Sequence, residues 1–333
     1  MLTVAKLRRK PRHFARLTGL TPEQFDDLLR SLRPVYQRQQ AAGHATRGAR
    51  VDRLRACGGG RRFNLAVGER LLSTLLYYRL HVTGTLLSYL FALDESNLCR
   101  ERNHRMLPAL HEVLPTPMQD HLLWALDNAN ANANAKPRKR IGTLEELLQA
   151  HPELQDIWID ATEQEVPKPQ DKTRKKQLFS GKSHCHTLKT QLVTSGRLIL
   201  HAFGGVGGSL HDRQLLRASG VMRTLPAPDS DSAKRKVRLD RGYCGAETEW
   251  QEVKSIEIVI GVKGTRYRKV TALGRALNHV LAKTRMQVEQ NIGHLKNWRV
   301  LSGLYRSQHA RYLDVTCVVA GLHNFKLLPG GAW

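Results

Sequence analysis

The chain has 333 residues, with 53 lysine and arginine residues against 29 aspartate and glutamate residues, which gives a formal net charge of +24. A chain of this length with 41% apolar residues can bury the cores of two domains, which excludes a disordered tail or a miniprotein. It has no apolar run long enough for a transmembrane helix, and five cysteines without a CxxC pair favour neither a disulfide framework nor a zinc ribbon. The excess positive charge, which is present in both halves, favours a nucleic-acid partner.

The N-terminal part of the chain carries helical patterns. Residues 21–32 begin with Thr-Pro-Glu-Gln, which is typical of a helix start, and continue with apolar residues on one face. Three more helices are predicted at residues 68–80, 84–91 and 95–107. Residues 1–126 are therefore predicted to form an all-α unit, in which the Gly- and Arg-rich residues 41–62 form an exposed loop.

Residues 92–94 separate the last two of these helices by a short turn, which is typical of a helix-turn-helix. Leu86, Leu90, Leu93 and Leu98 are predicted to hold the two helices together. The second helix then presents four polar residues that can contact base edges, Ser96, Asn97, Arg100 and Asn103. Helical pairs with short turns also occur in proteins that never bind DNA, so the net charge decides in favour of DNA binding.

An Asn-Ala low-complexity run followed by a basic cluster occupies residues 127–142 and predicts a linker. Beyond it, short β-like runs occur at residues 155–162, 188–194, 197–203, 236–240 and 256–262. Helices are predicted at residues 211–218, 247–254 and 273–298. Three successive strands, followed by alternating helices and strands, predict a ribonuclease-H-like α/β domain with a mixed sheet over residues 143–333.

Three carboxylates in this domain are candidates for chemistry. Asp160 and Asp240 each end an apolar run, so each is predicted to project from a strand end at the rim of the sheet. Glu289 lies on the last predicted helix, whose buried stripe is predicted to be Leu277, Leu281, Val288 and Leu295. Three carboxylates close together need a cation, and oxygen ligands select Mg²⁺ or Mn²⁺. Each of them alone is more often a turn former, a helix cap or the partner of a surface cation.

Five motifs occur in order along the second half of the chain, at residues 160–162 (DAT), 179–193 (FSGKSHCHTLKTQLV), 204–216 (GGVGGSLHDRQLL), 239–243 (LDRGY) and 285–301 (RMQVEQNIGHLKNWRVL). With them the chain closely resembles bacterial insertion-sequence transposases of the DDE superfamily-endonuclease type, which are relatives of the Harbinger transposases. Residues 17–29, the later three-helix region and residues 107–115 resemble the helix-turn-helix domain that precedes the catalytic domain in that family.

The resemblance implies that Asp160, Asp240 and Glu289 form the DDE triad and that they bind two Mg²⁺ or Mn²⁺ ions. It also matches Asp212 to an extra acidic position that can serve as a metal ligand. Because Asp212 precedes a predicted helix, an N-cap role is the open alternative. Residues 204–208 are predicted to be a flexible loop that leads to Asp212.

The resemblance also implies basic residues that hold DNA. Arg285, Glu289 and Lys296 fit the family spacing R-x3-E-x6-K, although the tyrosine that opens the fuller pattern would fall at Ala282 and is missing. Further candidates for phosphate contacts are Lys182, Lys189 and Arg241, each of which could instead be a solvated side chain. Trp298 could stack on an unpaired base, but a tryptophan at the end of an amphipathic helix is more often part of a core.

The function that the resemblance implies is DNA transposition. The N-terminal domain would bind the terminal inverted repeats of the insertion sequence, and the C-terminal domain would cleave DNA and transfer the freed 3′ end to target DNA. We expect a homodimer or a larger synaptic complex that acts on DNA in the bacterial cytoplasm, associated with the nucleoid and not with a membrane. Two alternatives stay open: a catalytically inactive, transposase-derived DNA-binding regulator, and a metal-dependent DNA endonuclease without strand transfer.

Overall fold

The computed structural model describes residues 1–48, 65–117, 144, 147–148, 154, 156–225, 234–253, 256–264 and 269–328. These residues divide into two compact units. The first contains the described residues of Met1–Leu114, Trp298–Val300 and Leu328–Trp333, and the second contains those of Pro115–Asn297 and Leu301–Leu327. The predicted linker at residues 127–142 lies outside the described residues, so the domain limits 1–126 and 143–333 stay predictions.

The first unit is helical, as its apolar periodicity predicts. Its helices are α1 (Val4–Arg8), α2 (Pro11–Thr18), α3 (Pro22–Gly48), α4 (Val67–Leu80), α5 (Gly84–Phe91), α6 (Glu95–Glu101) and α7 (Leu107–Val113), with a π-helical turn at Arg102–Met106. Helix α3 begins at the predicted signal, because Thr21 and Gln24 exchange hydrogen bonds between side chain and backbone. It continues to Gly48, so the prediction of a loop over residues 41–62 is wrong for residues 41–48.

A buried ion-pair cluster lies around Glu101 in the first unit. The almost fully buried Glu101 accepts a hydrogen bond of 2.6 Å from the hydroxyl of Tyr36. Its other carboxylate oxygen lies 3.0 Å from Arg105 and 3.4 Å from Arg70. Because two guanidinium groups and a hydroxyl satisfy this one carboxylate, its burial is tolerated, and removal of one partner would leave charge unpaired.

Trp298 belongs to the core of the first unit. Its side chain is fully buried, and its ring lies against Gly19, where a Cβ atom would come within 2.7 Å of the indole. The guanidinium of Arg79 lies 5.6 Å from the centre of the same ring. This confirms the interpretation of Trp298 as a core residue, because a buried indole is not available to stack on a base.

The second unit contains one mixed sheet. Its strands are β1 (Ile157–Glu165), β2 (Phe179–Ser180), β3 (Cys185–Ser195), β4 (Leu198–Gly207), β5 (Arg235–Leu239) and β6 (Ile256–Ile260). They lie in the order β4-β3-β1-β5-β6, and the short β2 pairs with the start of β3. The first three long strands are antiparallel neighbours, while β5 and β6 run parallel to β1. This order confirms the predicted α/β domain with a mixed, ribonuclease-H-like sheet.

The helices that accompany this sheet are α8 (Lys172–Leu178), α9 (Asp212–Ser219), α10 (Ala246–Glu249), α11 (Ala272–Lys296) and α12 (Tyr312–Leu327). Of these, α8 and α12 were not predicted. The unpredicted α12 is buried along most of its length, and the side chain of Asn324 exchanges two hydrogen bonds with the backbone of Ile199 in β4. None of the helices among the described residues is both long and apolar enough to cross a membrane.

The glycines at 204–208 are closely packed, which corrects the prediction of a flexible loop. Four of these five residues belong to β4. A Cβ atom on Gly204 would come within 2.5 Å of the backbone of Lys189, and one on Gly207 would overlap the carbonyl oxygen of Gln177. Glycine is therefore required here for close approach of the backbone, and the segment holds its neighbours in place.

The predicted buried stripe of α11 is correct only in the second half of the helix. Val288 and Leu295 are buried, whereas Leu277 is exposed and Leu281 is half-buried. In the first half of the helix, Gly274 is the one buried residue among those that the structure describes. The side chain of Glu289 therefore lies in the half of α11 that packs into the domain.

Candidate active site

Asp160 and Asp240 lie on neighbouring parallel strands. Ile159 in β1 pairs with Leu239 in β5. The next residues along the chain are Asp160 and Asp240, so their carboxylates lie beside each other. Asp240 follows β5 directly, as predicted, and its carbonyl accepts the first hydrogen bond of the turn Arg241–Tyr243. Asp160 is the fourth of nine residues of β1, so its prediction as a strand end is wrong.

Arg285 of α11 joins Asp240 to Glu289. Its Nη1 atom lies 2.6 Å from Oδ1 of Asp240, and its Nε atom lies 3.1 Å from Oε1 of Glu289. The side chain of Glu289 is 56% exposed, whereas that of Asp240 is mostly buried. The guanidinium thus supplies positive charge between two of the three predicted triad carboxylates, and its predicted contact with DNA stays a prediction.

The carboxyl group of Asp160 is largely desolvated. Burial raises its pKa to about 6, although the N–H of Ala161, 2.8 Å from its Oδ1, and the charge of Arg285 act in the opposite direction. The nearby carboxylates of Asp240 and Asp212 raise the pKa further. A desolvated carboxylate among like charges is a group that an additional cation would stabilise.

The donor chemistry of this site fits a divalent cation, because carboxylate oxygens are the ligands that Mg²⁺ and Mn²⁺ prefer. Within the described ranges, however, no group of three or more His, Cys, Asp or Glu side chains is close enough to hold a metal ion. Asp160 and Asp240 are the pair that would hold it. In this structure Glu289 pairs with Arg285 instead.

Asp212 is the first residue of α9 and not its cap. The cap is His211, whose Nδ1 accepts a hydrogen bond from the N–H of Arg213 and whose own N–H donates to the side chain of Gln214. Asp212 instead lies 3.0 Å from the ammonium nitrogen of Lys189. Its predicted role as a metal ligand stays a prediction.

Lys189 is buried at the centre of a second charged cluster. Only 6% of the residue is exposed, and its Nζ atom lies 3.0 Å from Asp212, 3.2 Å from Glu163 and 2.7 Å from the carbonyl oxygen of Leu210. Burial tends to raise the pKa of Glu163, but hydrogen bonding from Ser180 and the charge of Lys189 bring it below its ordinary value. A phosphate could reach Lys189 only if these interactions broke.

The other basic residues predicted to contact phosphate are accessible. Lys182 lies in the turn between β2 and β3, Arg241 follows Asp240, and Lys296 is the last residue of α11; all three are exposed. None of the three forms an ion pair with a carboxylate in the part of the chain that the structure describes. Their contact with DNA is sterically possible and stays a prediction.

The predicted helix-turn-helix pair is present as α5 and α6 in the first unit. Leu98 is buried as predicted, but Leu86 is 44% exposed, because α5 buries Leu87 and Phe91 instead. The four predicted base-contacting residues differ in environment: Ser96 and Arg100 are exposed, Asn97 donates a long hydrogen bond to Asp94, and Asn103 lies in the π-helical turn and donates to the sulfur of Cys99.

Tyr243 is a residue near the carboxylates that the sequence interpretation missed. It ends the turn after Asp240 and is fully buried, and its hydroxyl has no hydrogen-bond partner among the described residues. Burial first, and then the charges of Asp212, Asp160 and Asp240, raise its pKa well above the ordinary value. The motif LDRGY was the available signal, but its tyrosine carried no assigned role.

The Tyr243→Phe substitution should not destabilise the protein. Because the lost hydroxyl is buried without a partner, we expect the free energy of unfolding to stay constant or rise by about 1 kcal/mol. The matched control is Tyr305→Phe, which removes an equally buried hydroxyl that donates to the carbonyl of Gln308 and should lower stability. Urea denaturation measures both, and a loss of stability in Tyr243→Phe as large as in the control would contradict the expectation.

The three carboxylates predicted from the sequence thus lie as two neighbours at parallel strands of a mixed sheet and a third on the following helix α11. A family model described as DDE superfamily endonuclease matches residues 159–324, and one described as helix-turn-helix of DDE superfamily endonuclease matches residues 63–116. A probable transposase for insertion sequence element IS702 from Microchaete diplosiphon is 27% identical over 279 residues, which cover 80% of this chain and 83% of the relative. Together these matches support an insertion-sequence DDE transposase with an N-terminal helix-turn-helix.

Proposed function

We propose that the protein catalyses transposition of its insertion sequence: it binds the terminal inverted repeats, cleaves DNA at the element ends and transfers the ends to target DNA. The observation that carries the proposal is the parallel pairing of β1 with β5, which sets Asp160 beside Asp240, with Glu289 tied to Asp240 through Arg285. The family match supports the same chemistry.

In this proposal Asp160, Asp240 and Glu289 would hold a pair of Mg²⁺ or Mn²⁺ ions. When bound, the ions would neutralise the charge that develops while an oxygen nucleophile attacks phosphorus and the leaving oxygen departs. Arg285 holds the two carboxylates in place until DNA arrives and then turns to the phosphate backbone. Arg241, Lys182 and Lys296 contribute further phosphate contacts from exposed positions.

The first unit recognises the inverted repeats in this proposal. Ser96 and Arg100 are exposed on the second helix of the helix-turn-helix, where they can contact base edges in the major groove. Because two ends must be cut and joined together, the active form is a homodimer or a larger synaptic complex. The place of action is the bacterial cytoplasm, at the nucleoid.

The experiment combines purified protein, a labelled duplex with the inverted repeat found beside its gene, supercoiled plasmid and Mg²⁺ or Mn²⁺. We expect nicking at the element end and a joined product with wild-type protein, and neither with Asp240→Asn. Nicking without joining would indicate an endonuclease that lacks strand transfer. Binding of the repeat without nicking in either metal would indicate a DNA-binding regulator.

A further inference from the structure

A group of exposed cations lies before, within and after α8. We name it the basic track, and it consists of Lys168, Lys172, Arg174, Lys176 and Lys182. The acidic residue within this segment, Asp171, is the N-cap of α8 and accepts a hydrogen bond from the N–H of Arg174. Across the described part of the chain, no member of the basic track forms an ion pair with a carboxylate. The track therefore carries positive charge that is not neutralised locally.

The basic track is fixed to the framework of the domain. The carbonyl oxygen of Gln177 in α8 accepts hydrogen bonds from the N–H and the hydroxyl of Ser209, at 3.2 and 2.7 Å. Leu178 is buried, and Gly207 approaches α8 so closely that a side chain there would overlap its backbone. Cations held on a fixed helix lose less conformational freedom on binding than cations on a flexible tail.

The basic track lies beyond the carboxyl end of β1, at the edge of the sheet towards which β5 also runs. Strand β5 ends level with Ile159 and leads to Asp240, whereas β1 continues past Asp160 to Glu165 before the chain reaches the basic track. Ser209, which is bonded to α8, lies three residues before Asp212. A polyanion that runs from the carboxylates along this edge would meet the basic track.

We propose that the basic track binds the sugar-phosphate backbone of duplex DNA that extends from the cleavage site, without reading its sequence. The proposal deepens the proposed function and rests on it, because it assigns to the catalytic unit a second DNA contact, away from the carboxylates. Lys172 and Lys176 are separated by four helical positions and lie on one face of α8, which suits consecutive contacts along a backbone. Burial and the charge of Arg174 both lower the pKa of His309, which agrees with a positive field on this side.

The first test measures the salt dependence of binding to a fluorescent duplex without the inverted repeat, with full-length protein. Each lost phosphate contact should reduce the slope of log K against log salt by about 0.9, so Lys172→Gln/Lys176→Gln should lower it by about 2 and weaken binding about tenfold. Lys172→Arg/Lys176→Arg should bind like wild type. The matched control is Lys234→Gln/Lys236→Gln, which removes two exposed lysines at the opposite end of β5 and should have less than a twofold effect.

The second test locates the contact by lysine acetylation and mass spectrometry, with and without the same duplex. Lys172 and Lys176 should be protected by DNA, and Lys234 and Lys236 should not. The DNA-binding role of the basic track would be overturned if both double variants lost the same amount of DNA affinity, or if DNA did not protect the lysines of α8 from acetylation. Either result would leave the proposed function intact. If wild-type protein cleaves no element end, the proposed function fails instead, and the two failures remain distinguishable.

Discussion

Asp160→Asn should reduce cleavage at the element end by about a thousandfold or more, while binding of the inverted repeat stays within twofold of wild type. The substitution keeps the shape of the side chain but removes the charge that would hold a divalent cation next to Asp240. Rates of nicking and dissociation constants for the repeat measure the two effects. The matched control is Asp156→Asn, which changes an exposed aspartate just before the same strand and should cleave normally.

The same substitution should stabilise the protein in metal-free buffer. The carboxyl of Asp160 has a pKa of about 6 in the folded state against 3.8 as its ordinary value, so the folded protein binds more protons between these pH values. The protonated carboxyl of Asp160 therefore contributes fully to the free energy of unfolding below about pH 4, and this contribution is lost as the pH rises through about 6. Above that pH, Asp160→Asn should be more stable than wild type by on the order of 2 kcal/mol.

Urea denaturation in EDTA at acid and neutral pH measures this difference. The stability advantage of Asp160→Asn should be small near pH 4 and reach its full size above pH 7, whereas Asp156→Asn should show no comparable gain. A variant that loses cleavage and also loses stability at neutral pH would mean that Asp160 is a structural residue. Unchanged cleavage would mean that the active site lies elsewhere.

The strands were predictable because their apolar runs are short and bounded by polar segments. All five predicted runs are strands, whereas the short β2 was not predicted. Two helices of the second unit escaped prediction for opposite reasons. Helix α8 buries only Leu178 and has no apolar face, whereas α12 is buried nearly all round and therefore has no polar face to define a period.

The positions of the candidate site residues in the fold were only partly predictable. Strand β1 runs past Asp160 because the polar residues that follow, up to Glu165, pair with β3, and a rule based on apolar runs ends the strand too early. The ion pair between Lys189 and Asp212 joins residues on different elements, and its partners become visible only in three dimensions. Arg285 was predicted as a DNA contact. Its position between Asp240 and Glu289 could not be predicted, because it depends on how α11 packs against the sheet.

Lys189→Met should lower the free energy of unfolding by about 3–5 kcal/mol. Methionine can fill much of the volume of the lysine side chain, but the carboxylates of Glu163 and Asp212 then lose their common cation, and the carbonyl of Leu210 loses a donor. Removal of one partner from a buried ion pair is costly because the remaining charges stay desolvated. The matched control is Lys182→Met, which removes an exposed lysine from the same part of the chain and should change stability by less than 1 kcal/mol.

A double variant separates charge imbalance from loss of packing. If the two like charges are the cause, Asp212→Asn added to Lys189→Met should restore part of the lost stability, although each substitution alone is destabilising. Urea denaturation of the four proteins in this cycle gives the coupling energy directly. A Lys189→Met protein as stable as wild type, but with weaker DNA binding, would instead identify Lys189 as the phosphate contact that the sequence analysis offered as a candidate.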